Sequence, residues 1–320
     1  MMKSKRLKSK ERVDERCWAF MRELRLHFKG RKVYEVDPYA EVYPLRENLY
    51  AILNESLDGA GDVWMYLIVG PEKAMLVDTG FGLGDLKGLC DQLSGGKELI
   101  VVNTHPHLDH ALGNCQFEKI YCHAYAVPTL QKLHRADAWD KLFDARGEPI
   151  WTAFDRRDLI PFRDYEIVGV PDGYTFDLGG GHKIELIFTA GHSSGHCMFL
   201  DQKERTLFAG DDIISMRVGI SGPQPDDPYG AYATVASYRD QMAKLAKRTD
   251  EFDEIYPGHF IFGLESFVVE DLVDTANAIL ADPDGYQFQE EAITTRGTIL
   301  RMHRHVPGLG TIGYTAKALQ

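Results

Sequence analysis

Cysteine is sparse and unpatterned in this chain. Its five residues, Cys17, Cys90, Cys115, Cys122 and Cys197, form no C-x-x-C pair and are odd in number. That argues against a disulfide framework or zinc-finger spacing and suits a reducing compartment. Long apolar runs are also lacking. No stretch approaches the ~18 consecutive apolar residues of a membrane span, and the polar, basic N-terminus has no signal-peptide core. A cytoplasmic protein with no membrane association is therefore the expectation. No internal repeat or low-complexity linker interrupts the 320 residues, whose 44% hydrophobic content suits one large domain or two modest ones with a full core.

Positive charge is scarce outside the first 32 residues. That segment carries 12 Lys and Arg against 4 Asp and Glu, whereas the remainder carries 24 against 44. An acidic body disfavours extended contact with phosphate backbones, so no nucleic-acid partner is expected. In the basic arm, Val13, Cys17, Phe20, Leu24 and Phe28 recur at helical spacing, which reads as an amphipathic helix docked on the body or on a second subunit.

What is abundant is metal-ligand chemistry in one short stretch. Thr104-His105-Pro106-His107-Leu108-Asp109-His110 follows the apolar run 99–103. Imidazole nitrogens and carboxylate oxygens are the donors that zinc, iron and manganese take from proteins. His105 and His107, two apart, point the same way on an extended segment and can grip one ion. Asp109 and His110 fall where the chain turns toward a helix, facing a second.

The surrounding rhythm places this stretch at a strand end. Apolar runs at 49–53, 63–69, 74–77, 99–103 and 119–122 read as strands, with helices over 84–93 and 124–135. Residues 136–170 mix Trp139, Phe143, Trp151, Phe154 and Phe162 with Asp and Arg, and read as an insertion over one face, suited to substrate contacts or to a homodimer surface. Strands resume at 174–178, 183–188, 196–200, 206–209 and 254–256, with helices over 232–248 and 264–280. A further strand is expected over 292–301. The expected organisation is an arm at 1–32, a catalytic domain at 33–282 and a C-terminal extension at 283–320.

Further ligand-type residues stand at the downstream strand ends. His192 lies in Gly191-His192-Ser193-Ser194-Gly195-His196, Asp211 in Phe208-Ala209-Gly210-Asp211 and His259 in Tyr256-Pro257-Gly258-His259. Loops at the ends of rigid strands are where functional residues gather.

This series, from His105-x-His107-x-Asp109-His110 to His259, resembles the metallo-β-lactamase-fold hydrolase superfamily over about residues 48–280. The resemblance implies an α/β (α+β) four-layer αββα sandwich. It implies that His105, His107 and His192 hold one divalent metal, that Asp109, His110 and His259 hold a second, and that Asp211 bridges. It also makes Asp78, in Leu76-Val77-Asp78-Thr79-Gly80, and His196 residues that orient ligands. Zinc is the first expectation for the two ions, with manganese or iron as alternatives.

The expected activity is hydrolysis of a small ester-like substrate, thioester or lactone, by a metal-bridging hydroxide, with Asp109 handling the proton. Three alternatives stand beside it: a mononuclear iron persulfide dioxygenase, a metal-retaining sensor or partner-binding module, and a serine hydrolase. The last rests on Gly191 to Gly195 matching G-x-S-x-G, with Asp211 and His259 following in triad order. Connectivity places the loop after Asp211 beside the metals, which makes Met216, Arg217, Tyr229 and Tyr232 candidate substrate contacts.

Overall fold

The computed structural model describes residues 25–55, 62–148, 154–294 and 297–320. The helical spacing expected from Val13 to Leu24 lies outside the described residues.

Eight strands hydrogen-bond in sequence order into a first sheet: β1 (Lys32–Tyr34), β2 (Asp37–Arg46), β3 (Leu49–Asn54), β4 (Val63–Val69), β5 (Lys73–Val77), β6 (Glu98–Val102), β7 (Lys119–His123) and β8 (Glu166–Val170). Pairing is antiparallel as far as β5 and parallel from β5 to β8. A second sheet joins β9 (Thr175–Asp177), β10 (Lys183–Phe188), β11 (Cys197–Asp201), β12 (Thr206–Gly210), β14 (Glu254–Pro257) and β15 (Leu264–Glu265). A third is built from β13 (Met216–Ile220), β16 (Phe288–Thr294), β17 (Gly297–Val306) and β18 (Gly310–Tyr314). The main helices are α1 (Leu86–Ser94), α2 (Leu108–Ala111), α3 (Val127–Leu133), α4 (Val235–Leu245) and α5 (Val268–Ala281).

Period-two alternation assembles the layers. In β4, Trp64, Tyr66 and Ile68 face the second sheet and pack with Phe199, Phe208 and Tyr256. Val63, Met65 and Leu67 face outward onto Leu86 and Leu89 of α1 and Leu130 of α3. Strand β11 does the same from the other side. Cys197 and Phe199 point inward, while Met198 and Leu200 join Tyr238 and Met242 of α4 and Leu272 of α5. A strand covered on both faces must be apolar throughout, which is why these segments read as continuous runs. The outcome is the expected αββα sandwich.

Four local readings change. Residues 33–48, which have no clear strand pattern in the sequence, form β1 and β2 despite Pro38 and Pro44. Strand β1 covers β2 only as far as Val42, so no partner strand needs the missing N–H of Pro44 on that side. The 136–170 insertion ends in β8, an edge strand of the first sheet. The single strand expected over 292–301 is the tip of the β16–β17 hairpin. Residues 283–320 supply three strands of the third sheet, and β18 pairs in parallel with β13, which stitches the extension into the body.

Candidate metal centre

Parallel pairing brings the site together. Because β5 runs parallel to β6, and β12 parallel to β14, the loops holding Asp78, His105 to His110, Asp211 and His259 leave from corresponding strand ends. Cross-sheet bonds fix their relative positions. Cys197 N–H donates to Thr104 O at 2.8 Å, and Trp64 N–H to Gly258 O at 2.8 Å. The Trp64 indole donates to Phe260 O, and the Tyr66 hydroxyl to Pro257 O.

All seven expected ligands converge. Ligand atoms of His105, His107 and His192 lie within 4.8 Å of one another, as do those of Asp109, His110 and His259. His107 Nδ1 is 3.0 Å from His105 Nε2 and 2.9 Å from His192 Nε2. His259 Nε2 is 3.3 Å from His110 Nε2 and 3.3 Å from Asp109 Oδ2. Asp211 stands between the groups. Its Oδ2 lies 3.5 Å from His192 Nε2 and 3.3 Å from His259 Nε2, and its Oδ1 lies 3.4 Å from His110 Nε2.

These separations fit metal binding. Nitrogens held at ~2.0–2.1 Å from one zinc in tetrahedral geometry stand about 3.3 Å apart. Asp211 Oδ1 is buried without a hydrogen-bond partner among the described residues, a cost that a cation would remove. The backbone also leaves room: a Cβ on Gly258 would come within 2.5 Å of Asp211 Oδ1 and 2.7 Å of His110 Cε1.

Partners on the far side of the rings set the tautomers. His192 Nδ1 donates to Gly219 O at 2.6 Å, and His259 Nδ1 to Asp62 O at 2.6 Å. His110 Nδ1 donates to Asp78 Oδ2 at 2.9 Å. Thr104 Oγ1 donates to the same carboxylate at 2.7 Å and lies 3.0 Å from His105 Nδ1. In each case Nε2 is the ring nitrogen turned toward the cluster. Asp78 does this from a left-handed conformation, φ 62°, rare for a non-glycine residue and held by its buried surroundings.

Charge divides the cluster. Burial, reinforced by neighbouring imidazoles, holds His105, His107 and His192 below the usual histidine range, the last at about 3. Burial also opposes charge on His110 and His259, but Asp211 and Asp109 outweigh it and raise His110 to about 9. Against the same burial, His110 and His259 hold Asp109 down at about 2. Three neutral imidazoles thus face a carboxylate-rich pair.

The other expected residues have different surroundings. His196 Nε2 accepts the Asp211 N–H at 3.0 Å, so the ring positions the backbone of Asp211. Met216, itself at φ 82°, packs on the core under the third sheet. Arg217 Nη1 donates to Glu290 at 2.5 Å. Tyr229 stacks on Tyr125 at a ring-centroid distance of 4.1 Å and Tyr232 lies tilted against it at 5.1 Å, next to Phe188 and His123. Ser194 Oγ, donating to Asp227 Oδ2 at 2.6 Å, ties that aromatic group to the histidine turn.

The nucleophile-elbow alternative is not formed. A strand, β11, follows Gly195 where the elbow needs a helix, and Ser193 Oγ has no hydrogen-bond partner among the described residues. Sequence reasoning passed over Tyr125, Phe188 and Arg301, whose places depend on contacts between distant segments.

Comparison with known proteins agrees with this geometry. A family model described as Metallo-beta-lactamase superfamily matches residues 58–259. The chain is 25% identical over 241 residues to the Gallus gallus acyl-coenzyme A thioesterase MBLAC2, spanning 69% of this chain and 81% of that protein. It is 26% identical over 175 residues to the hydroxyacylglutathione hydrolase of Methylococcus capsulatus, covering 55% and 51% respectively. In fold it is similar to the DIM-1 metallo-beta-lactamase, with a TM-score of 0.51 at 18% identity over 76% of this chain and 98% of that one. The chain belongs to the metallo-beta-lactamase superfamily and is a metal-dependent hydrolase.

Proposed function

We propose that this chain hydrolyses a small acyl thioester at a site holding two divalent ions, zinc being the first candidate. The observation that carries the reading is the pairing of two donor groups about one shared carboxylate, Asp211. His105, His107 and His192 would hold one ion, Asp109, His110 and His259 the other, with Asp211 between them. Preference for a thioester over a lactone is supported by relatives named acyl-coenzyme A thioesterase and atrochrysone carboxyl ACP thioesterase.

Bound divalent ions supply Lewis acidity and bring the pKa of water toward ~7. The chain's residues do the rest. Burial keeps three imidazoles neutral and so available as donors. Asp78 and Thr104 fix the rings of His110 and His105 from behind. Asp109, with 21% of its side chain accessible against 8% for Asp211, is the carboxylate of this set able to reach a bound substrate. It orients the attacking water, accepts the proton that water loses on attack and passes it to the departing sulfur.

The test is a panel of thioester, lactone, β-lactam and phosphodiester substrates on one preparation, before and after chelation and again after metal return. Thioester cleavage that disappears on chelation and returns with metal supports the proposal. A lactone or phosphodiester turned over faster than every thioester rejects the substrate class.

A further inference from the structure

The third sheet has one face in the core and one beside the metal centre. Val218, Ile220, Ile312, Tyr314 and Val306 fill the core face. The strand registers Gly219↔Gly313↔His303, Arg217↔Thr311 and Glu290↔Arg301 put Arg217, Arg301, His303 and Glu290 on the opposite face, around a floor made by two glycines. That face meets the ligand cluster directly, since Gly219 O accepts from His192 Nδ1.

The glycine floor brings Arg301 to the site. Its Cδ lies over Gly313, where a Cβ would come within 2.7 Å. At Gly219, a Cβ would be 3.8 Å from Arg301 Nη2 and 4.0 Å from His192 Nδ1, so guanidinium and imidazole face each other across that one residue.

The charges nearby do not balance. Glu290 Oε1 pairs with Arg217 at 2.5 Å and lies 3.2 Å from His303 Nε2. Burial holds His303 neutral, at about 4. Glu290 is thus taken up by Arg217 and His303, and Arg301 Nε is buried without a hydrogen-bond partner among the described residues. Burial and the neighbouring Arg217 lower Arg301 to about 10, which leaves it cationic at neutral pH. An idle donor buried on a guanidinium is costly unless an anion completes it, and the planar fork of that group suits a carboxylate or phosphate.

Reach decides which anion. The phosphates of a coenzyme A thioester lie at the end of the pantetheine arm, ~15 Å from the sulfur when extended at ordinary bond lengths. Arg301 is one glycine away from a metal-ligand ring. An anion reaching it belongs on the acyl side, a few bonds from the scissile carbonyl.

Building on the thioester reading above, we propose that Arg301, with Arg217 beside it, binds a carboxylate at the end of a short acyl chain. The preferred substrates are then monothioesters of short dicarboxylic acids, and Arg301 is the residue that selects them.

Two measurements on the metal-loaded protein test this. Titration calorimetry with succinate and with butyrate reads binding without turnover. The ratio of kcat/KM for succinyl-coenzyme A over butyryl-coenzyme A reads selection. Both are repeated on Arg301→Met, Arg301→Gln and Arg301→Lys. Succinate should bind the unsubstituted protein ~10–100-fold more tightly than butyrate, with the kcat/KM ratio similarly biased, as a charge-assisted hydrogen-bond pair allows. The bias should fall to near unity in the Met and Gln variants and persist in part with Lys. Equal affinity for the two acids in the unsubstituted protein overturns the inference without need of any variant, and so does a preference that survives Arg301→Met or Arg301→Gln. If neither thioester is cleaved, the thioester reading fails, and the calorimetric comparison still decides the carboxylate site.

Discussion

Oδ2 of Asp78 stands 2.9 Å from Nδ1 of His110 and accepts its N–H. The same oxygen accepts from Thr104 Oγ1, which lies against His105. One buried carboxylate that ligates nothing itself thus orients a histidine in each half of the candidate metal centre.

Replacing Asp78 with Asn isolates that role. Asn tolerates the left-handed backbone at φ 62° but is uncharged and cannot accept at both former oxygens. Metal affinity should fall by about 10–100-fold, as it does when a ligand histidine loses its supporting carboxylate. Competition against a chromophoric chelator measures the loss, with circular dichroism to show that the fold persists. An unchanged affinity would mean that the contact is structural only.

Ser193→Ala separates metal hydrolysis from serine chemistry. The Ser193 hydroxyl makes no hydrogen bond among the described residues, and the strand after Gly195 does not offer an elbow. The variant is expected to hydrolyse thioester at the wild-type rate. Complete loss of turnover with metals still bound would restore the serine as nucleophile.

Legibility tracked how local each signal was. The candidate ligands were readable because each sits where an apolar run stops, and three imidazoles within six residues have little structural use. Strands β4 and β11 were readable as strands because they are buried on both faces and apolar over nearly their whole length, while the sandwich they build was implied only by the family resemblance. Strand β2 was not readable, since Pro38 and Pro44 break the usual pattern, and Pro44 is accommodated because it lies past the end of the pairing with β1. Strand β13, Met-Arg-Val-Gly-Ile, is too weakly patterned to announce itself, and it finds its partner, β18, 94 positions later. Arg301 was invisible for the same reason. Its approach to His192 depends on the register of three strands and on two glycines in them.

Asp37, which is not among the candidate ligands, gives a pH-dependent signature of its own. Burial raises its carboxyl to about 7 against the pull of the Tyr39 and Ala40 N–H groups, and Oδ2 has no hydrogen-bond partner among the described residues. The folded state therefore binds the proton more tightly than the unfolded state. Stability from this group is present below pH ~4 and lost as pH rises through ~7, a penalty on the order of 4 kcal/mol when complete. Relative to wild type, Asp37→Asn should gain stability progressively between pH 4 and 7 and hold a constant difference above. Urea unfolding across that range checks the slope. A difference independent of pH would show that Asp37 is ionised in the folded protein throughout.

The most direct test of the two-ion account is metal analysis of the active protein by mass spectrometry, paired with thioester hydrolysis on the same sample. The account predicts two divalent ions per chain, activity that falls as they are removed, and recovery when they are restored. One iron per chain with oxygen consumption, or full hydrolysis in a metal-free sample, would contradict it.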